Sequence, residues 1–184
     1  MSKIIIGLTG QIASGKDVSK KYLEEKYKAK SFRFSTIMRE IVTRLGLEIN
    51  RHNLVNISLC LRQTFGEDLF AKTMANDVMN DSSEIIVVDG IRRLADIEYL
   101  KKVPGFHLIS VDATPEIRYD RLIKRNENKG DSEKTYEQFL ADEKLETEAS
   151  IPAVMAQAET TIHNNGNFAE LYQQIEIIMK NLNK

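Results

Sequence analysis

The tightest constraint in the sequence is Gly10-Gln11-Ile12-Ala13-Ser14-Gly15-Lys16-Asp17, two glycines separated by four residues and followed directly by lysine. It stands between Lys3–Leu8, an apolar β-branched run that reads as a buried strand, and Val18–Tyr27, whose apolar spacing is helical. A glycine-rich turn in that context is a phosphate cradle. Glycines let successive backbone N–H groups face one anion, the helix start adds partial positive charge, and Lys16 can reach β- and γ-phosphates. Gly10, Gln11, Ile12, Ala13, Ser14, Gly15, Lys16, Asp17 and Val18 are therefore candidates for contact with nucleotide phosphates.

The order of elements beyond the loop narrows the fold. Ala29–Phe34 reads as a second strand, and a helix through Ile37, Ile41, Val42 and Leu45 should stop near Gly46. Asn53–Met79 carries helical spacing with a break at Phe65-Gly66, where glycine weakens a helix. Glu84–Asp89 has a continuous apolar core, Ile85-Ile86-Val87-Val88, as expected of a parallel strand covered on both faces. Asp96–Lys102 reads as helix, Phe106–Val111 as strand, and Pro115–Arg125 as helix with proline in its first turn. Tyr136–Glu148 is expected as helix, Thr160–His163 as a last strand, and Phe168–Leu182 as a closing amphipathic helix. Alternating strands and helices imply an α/β fold with right-handed crossovers and a mostly parallel sheet, its ligands beyond the carboxyl ends of the strands.

Composition sets the outer bounds. The 184 residues fit one domain. A net charge of -1 argues against stable nucleic-acid binding, which draws on clustered Lys and Arg. No long apolar run suggests a membrane span, and Met1-Ser2-Lys3 leads into an apolar stretch too short for a signal peptide, so a cytoplasmic setting is expected. The single cysteine, Cys60, forms no internal disulfide and reads as a buried helix residue.

The remaining chemistry lies in carboxylates and arginines. Asp17 stands where a phosphate loop usually has Ser or Thr. Its carboxylate suits Mg²⁺, directly or through water, and it equally suits a helix start through the dipole alone. Asp89 ends the third strand before Gly90, so its carboxylate should emerge at the sheet edge beside the phosphate loop, as a candidate for a magnesium-bound water. Arg39, Arg62 and Arg92 are placed to face an anionic acceptor, for which arginine's planar fork is suited, whereas Arg33, Arg44 and Arg51 have no comparable positional argument. Arg118, Arg121 and Arg125 share one helix at three- and four-residue spacings, immediately before the polar stretch Asn126–Lys134. Arg121 and Arg125 are the expected phosphate contacts of a closing lid, and Arg118 is left open between the two uses of such a face.

With these motifs the chain resembles the P-loop nucleoside monophosphate kinase superfamily over nearly its whole length. The front is similar to phage-type deoxynucleoside monophosphate kinases, whose loop also ends in Gly-Lys-Asp. Asp89-Gly90-Ile91-Arg92 resembles their Asp-x-Arg element with one extra residue, and Leu61-Arg62-Gln63-Thr64-Phe65-Gly66-Glu67-Asp68 resembles their arginine helix. Asp-Gly-Ile-Arg is also shared with archaeal-type uncharacterised kinase-like proteins. The back is similar to dephospho-CoA kinases: Arg118–Arg125 resembles their lid helix, and Ala158–Gly166 their adenine-contacting segment.

The resemblance implies a three-layer P-loop kinase fold with a five-stranded parallel sheet, a helical acceptor-binding region at about 35–80 and a short lid at about 121–136. It implies ATP and Mg²⁺ as cofactors, Lys16, Asp89, Arg121 and Arg125 as catalytic, Asp17 and Asp89 at the metal, and base contacts around Asn165 and Gly166. The expected partner is a small nucleotide acceptor, with the protein a monomer or homodimer. Dephospho-CoA kinases place an aspartate after the second strand. Here Phe32-Arg33-Phe34-Ser35-Thr36 offers no carboxylate, which favours a nucleoside monophosphate over a 3′-hydroxyl acceptor, with Asp89 as the alternative base. A non-kinase nucleotide-binding switch on the same fold is the remaining alternative.

Overall fold

The computed structural model describes residues 3–125 and 131–183. Five strands, β1 (Ile4–Thr9), β2 (Lys30–Arg33), β3 (Ile85–Asp89), β4 (Phe106–Asp112) and β5 (Thr160–His163), form one sheet in the order β2-β3-β1-β4-β5. Every pairing is parallel. β1 and β3 are buried almost throughout because helices cover both faces, which is why their sequences are continuous apolar runs and not alternations.

Alternate residues of the strands serve opposite layers. Ile5, Ile86, Val88 and Leu108 point into a core completed by α2 (Phe34–Arg44), α4 (Leu69–Asn80), α5 (Leu94–Glu98) and α9 (Ile151–Met155). Ile4, Ile6, Leu8, Val87, Ile109 and Val111 face α1 (Lys16–Tyr27) and α10 (Phe168–Leu182), which contribute Leu23, Leu171, Ile175 and Met179. This is the expected three-layer P-loop kinase fold. No helix among the described residues is long and apolar enough to cross a membrane.

The helical region after β2 divides where glycine sits. α3 (Arg51–Phe65) begins at Asn50, whose side chain accepts from the Asn53 N–H at 2.9 Å, and stops at Gly66, which takes φ 105°, a left-handed value unfavourable for other residues. α4 follows at Leu69.

Three expectations need correction. Asp96–Lys102 is the short helix α5 followed by a 3₁₀ turn at Leu100–Lys102, because Asp96 is spent capping: its Oδ2 accepts from the N–H groups of Arg92 and Arg93 at 3.0 and 2.9 Å. Tyr136–Glu148 is two helices, α7 (Tyr136–Asp142) and α8 (Glu146–Ala149), with Glu143 in the gap held by two outside partners, and α9 follows with Pro152 in its first turn. Cys60 is exposed on α3, since that helix turns Leu61 and Arg62 inward. Residues 126–130 of the expected lid lie outside the described residues. The helix α6 (Pro115–Arg125) and the turn Asp131–Glu133 lie within them.

Phe70 on α4 is 1% exposed and underlies the guanidinium of Arg62 at 4.8 Å. Phe70→Ala should lower unfolding free energy by about 3–5 kcal/mol, read from the urea midpoint at unchanged m-value.

Candidate functional site

The phosphate loop is held in shape by its neighbours. Gly10 and Gly15 take φ 148° and 111°, and Ala13 takes φ 58°, a strained value for a residue with a Cβ that costs on the order of 1 kcal/mol. A Cβ on Gly15 would fall 2.1 Å from the Asn164 amide nitrogen. Asn164, buried after β5, donates that Nδ2 to the Ser14 carbonyl at 2.7 Å, while its own N–H donates to the Asp112 carbonyl at 2.7 Å. Thr9 Oγ1 donates to the Ile91 carbonyl at 3.1 Å, which fixes the chain leaving β3 beside the loop. No side chain caps the start of α1, so its first N–H groups remain available to an anion.

Lys16 folds back on the loop, its Nζ donating to the Gly10 and Gln11 carbonyls at 2.7 and 2.8 Å. Burial pushes its pKa down to about 8, against the opposing pull of Asp89 and Asp17, while Arg92 pushes the same way as burial.

A charge network faces the loop. Asp89 is 4% exposed, and its Oδ2 accepts from Arg33 Nε and Nη2 at 2.9 and 2.6 Å and from Lys20 Nζ at 3.3 Å. Burial alone would raise the Asp89 carboxyl, but Arg33 and Lys20 outweigh it and hold the pKa below the usual range. Asp17 is exposed, with Arg33 Nη2 at 3.2 Å, Lys20 Nζ at 3.8 Å and Arg125 Nη1 at 3.8 Å. One Arg33 nitrogen thus bridges both carboxylates expected at the metal. Arg33 and Lys20 already neutralise Asp89, so the two carboxylates would fit Mg²⁺ through its water shell, with phosphate oxygens as the direct ligands.

The expected arginines divide into several settings. Arg92 Nη1 donates to Glu148 at 2.6 Å, and both side chains lie within electrostatic reach of Lys16. Arg62 is 8% exposed and donates from Nη1 to the Glu67 carbonyl at 2.6 Å. Arg39 is exposed on α2, with no hydrogen bond or ion pair to another described residue. Arg121 directs Nη2 to Asn164 Oδ1 and the Gly166 carbonyl at 3.5 and 3.4 Å, leaving Nη1 buried and without an acceptor. Asn165 Oδ1 accepts from the Thr114 N–H at 2.9 Å, and Val18 packs on the core, so only its backbone is free to serve the loop. Arg118 is structural: it is 1% exposed, donates Nε to the Ala113 carbonyl at 3.0 Å, stacks over Phe139 and pairs with Glu143. Glu143 also accepts from Gln11 Nε2 at 3.1 Å, joining the phosphate loop to α6 and α7.

Arg33, Lys20, Arg93, Asn164 and Glu143 were not among the expected site residues. Arg33 is paired in register with Asp89 across β2 and β3, which only the strand order reveals. Lys20 did carry a signal, lying one helical turn beyond Lys16 on the face that meets β3.

A family model described as an AAA domain matches residues 6–148. A UPF0200 protein of Methanococcus maripaludis is 30% identical over 182 residues, covering 98% of each chain. The chain belongs to the UPF0200 family, on a P-loop AAA-type domain. A UPF0200 protein of Methanocaldococcus jannaschii is 27% identical over 181 residues, covering 97% of this chain and 90% of its own. Among solved structures, TT1252 from Thermus thermophilus superposes with TM-score 0.66 at 18% identity, covering 99% of both chains. Shikimate kinase from Bacteroides thetaiotaomicron superposes with TM-score 0.63 at 14% identity, covering 98% of this chain and 99% of that one. At these identities the neighbours establish the fold of this UPF0200 protein, that of P-loop kinases, while the family name carries no substrate.

A polyanion on the loop favours charged Lys16, so nucleoside triphosphate binding at pH 8 should draw in roughly half a proton per site. Calorimetry in two buffers of different ionisation enthalpy would measure this uptake, and it should vanish in Lys16→Met.

Proposed function

We propose that this UPF0200 protein is an ATP-dependent phosphotransferase that passes the γ-phosphoryl group to the phosphate of a nucleoside monophosphate, ribo or deoxy. The observation that carries the reading is Arg33: at the end of β2, where a hydroxyl-phosphorylating enzyme of this superfamily would place a carboxylate base, stands a cation that binds Asp89 and Asp17. Asp89, its pKa held down, is a weak base for a ribose hydroxyl, whereas a phosphate acceptor arrives already ionised and needs none.

On this reading each side chain has a task. Loop N–H groups from Gly10 to Asp17 and the N-terminus of α1 bind the ATP phosphates, and Lys16 leaves its two carbonyl acceptors for the β- and γ-oxygens. Asp17 and Asp89 would hold Mg²⁺ through its water shell, and the ion when bound supplies charge neutralisation at the β- and γ-phosphates. Arg33 and Lys20 keep both carboxylates ionised and oriented. Arg39, Arg62 and Arg92 position the acceptor, in line with transfer. Arg121 and Arg125 approach from α6 over the transferring group, Arg121 with its unused donor, and exclude water. By resemblance to dephospho-CoA kinases, the backbone around Asn165 and Gly166 would meet the ATP base.

The deciding experiment is ATP and Mg²⁺ consumption against a panel of ribo- and deoxynucleoside monophosphates and dephospho-CoA, with products identified by mass. A nucleoside diphosphate from one mononucleotide supports the reading. CoA as product would transfer the base role to Asp89, and silence across the panel would favour a nucleotide-dependent switch. With the substrate in hand, Lys16→Ala should abolish transfer while circular dichroism and the melting midpoint stay near wild type, since Lys16 serves phosphates and not the core. Arg92→Ala should raise the acceptor KM about tenfold, with the KM for ATP little changed, in steady-state assays.

A further inference from the structure

The phosphate loop is gripped from two elements far along the chain, and each grip is met by an arginine of α6. Asn164 donates to the Ser14 carbonyl at 2.7 Å, and Arg121 Nη2 lies 3.5 Å from the Asn164 Oδ1. Glu143 accepts from Gln11 Nε2 at 3.1 Å, and Arg118 Nη1 donates to the same oxygen, Oε1. The second grip is the firmer. Arg118 is 1% exposed, its Nε donates to the Ala113 carbonyl at 3.0 Å and its fork lies over the Phe139 ring at 5.3 Å, so its orientation is fixed and Glu143 must come to it. Losing that carboxylate would leave a buried guanidinium unpaired, which keeps the two side chains together.

Gln11 joins this pair to the phosphate chemistry. Its carbonyl accepts from Lys16 Nζ at 2.8 Å and from the Ser14 N–H at 3.3 Å, while its side chain reaches Glu143. Phosphate oxygens that draw Lys16 off that carbonyl therefore change the bonding of a residue whose side chain leads out of the loop toward Arg118. The chain beyond Glu143 is pinned as well: Glu148 accepts from Arg92 Nη1 at 2.6 Å, and Ser150 Oγ donates to the Arg92 carbonyl at 2.8 Å. Residues 143–150 thus run from the phosphate loop to the turn after β3 with fixed points at both ends.

We propose that Glu143 is a positioning residue of the nucleotide site: it orders the phosphate loop through Gln11, takes its own orientation from Arg118, and so links phosphate bound at the loop to the placement of α6. This rests on the part of the functional reading that puts nucleotide phosphates on the loop, and not on the identity of the acceptor. Arg118 then differs in kind from its neighbours on the same helix. Arg121 and Arg125 approach the phosphates, whereas Arg118 acts through Glu143. Because α6 carries all three, ordering the loop and delivering Arg121 and Arg125 become one event, coupled through a contiguous chain of hydrogen bonds.

The test is binding, read at Arg118 and independent of turnover. The Arg118 Nε–Hε resonance and the backbone resonances of Gly15 and Lys16 are followed by NMR during titration with inorganic tripolyphosphate and with MgADP, in the wild type, Gln11→Leu and Gln11→Lys. Gln11→Leu removes the donor and leaves the Arg118–Glu143 pair intact, and Gln11→Lys restores a donor. In the wild type both titrants should shift Arg118 along with the loop, tripolyphosphate showing that no base is needed. Gln11→Leu should keep the urea midpoint and the loop shifts, lose the Arg118 shift, and bind tripolyphosphate about fivefold more weakly, the net worth of one hydrogen bond that orders the loop. Gln11→Lys should recover the Arg118 shift. A wild-type Arg118 that stays in place while Gly15 and Lys16 shift, an equal Arg118 shift in Gln11→Leu, or a urea midpoint that falls with the affinity would each overturn the proposal, the last by making Gln11 merely structural. No shift at Gly15 and Lys16 with either titrant would overturn this proposal and the phosphotransferase reading together, whereas a normal Arg118 response without phosphoryl transfer to any acceptor would count against that reading alone.

Discussion

A carboxylate with 4% exposure must be met by cations, and Asp89 sets that requirement at the carboxyl edge of the sheet. Arg33 and Lys20 meet it from two different elements. In doing so they tie β2 and α1 to the end of β3, and they hold the exposed Asp17 near the same cationic groups. The phosphate loop therefore opens onto a prearranged set of charges. A buried ion pair of this kind adds little net stability, since desolvation offsets much of the attraction. Its value is positional: two oxygen donors and two cations kept in fixed relation beside Lys16.

The opposite wall follows the same logic with reversed signs. Arg118 is the most deeply buried guanidinium among the described residues, and Glu143 answers it. Because Glu143 also takes a hydrogen bond from Gln11, the helix α6, the following α7 and the phosphate loop share one carboxylate. Glu143 itself keeps helical φ and ψ at the end of α7, and the break before α8 falls at Leu145, which is extended. Arg121, one turn further along α6, reaches Asn164 and Gly166 through Nη2 and keeps Nη1 buried without an acceptor.

Much of this was legible in the chain. The loop from Gly10 to Asp17 was recognisable because strand, glycine turn and helix are set by local pattern, and β5 and α10 were read at Thr160–His163 and Phe168–Leu182, where the structure has them. The helical periodicity of Tyr136–Glu148 does not show the interruption at Leu145, which is extended between α7 and α8. Arg33 carries no local signal either. Its partner Asp89 lies far along the chain and becomes its neighbour only when β2 and β3 pair. Arg93 was hidden beside Arg92, since the turn after β3 sends adjacent side chains to different partners, Glu67 and Glu148.

The sequence by itself determined the alternation of elements, the phosphate loop and the α/β class, since each depends on contacts within a few residues and on periodicities of the backbone. Tertiary structure decided which charges meet. The order β2-β3-β1-β4-β5 brings together residues that no spacing relates: Arg33 with Asp89, Asn164 with Ser14, and Arg62 with Arg93 around Glu67. Electrostatic partners are set by distance in space and by access to water, and both quantities exist only once the sheet has closed the chain around its core.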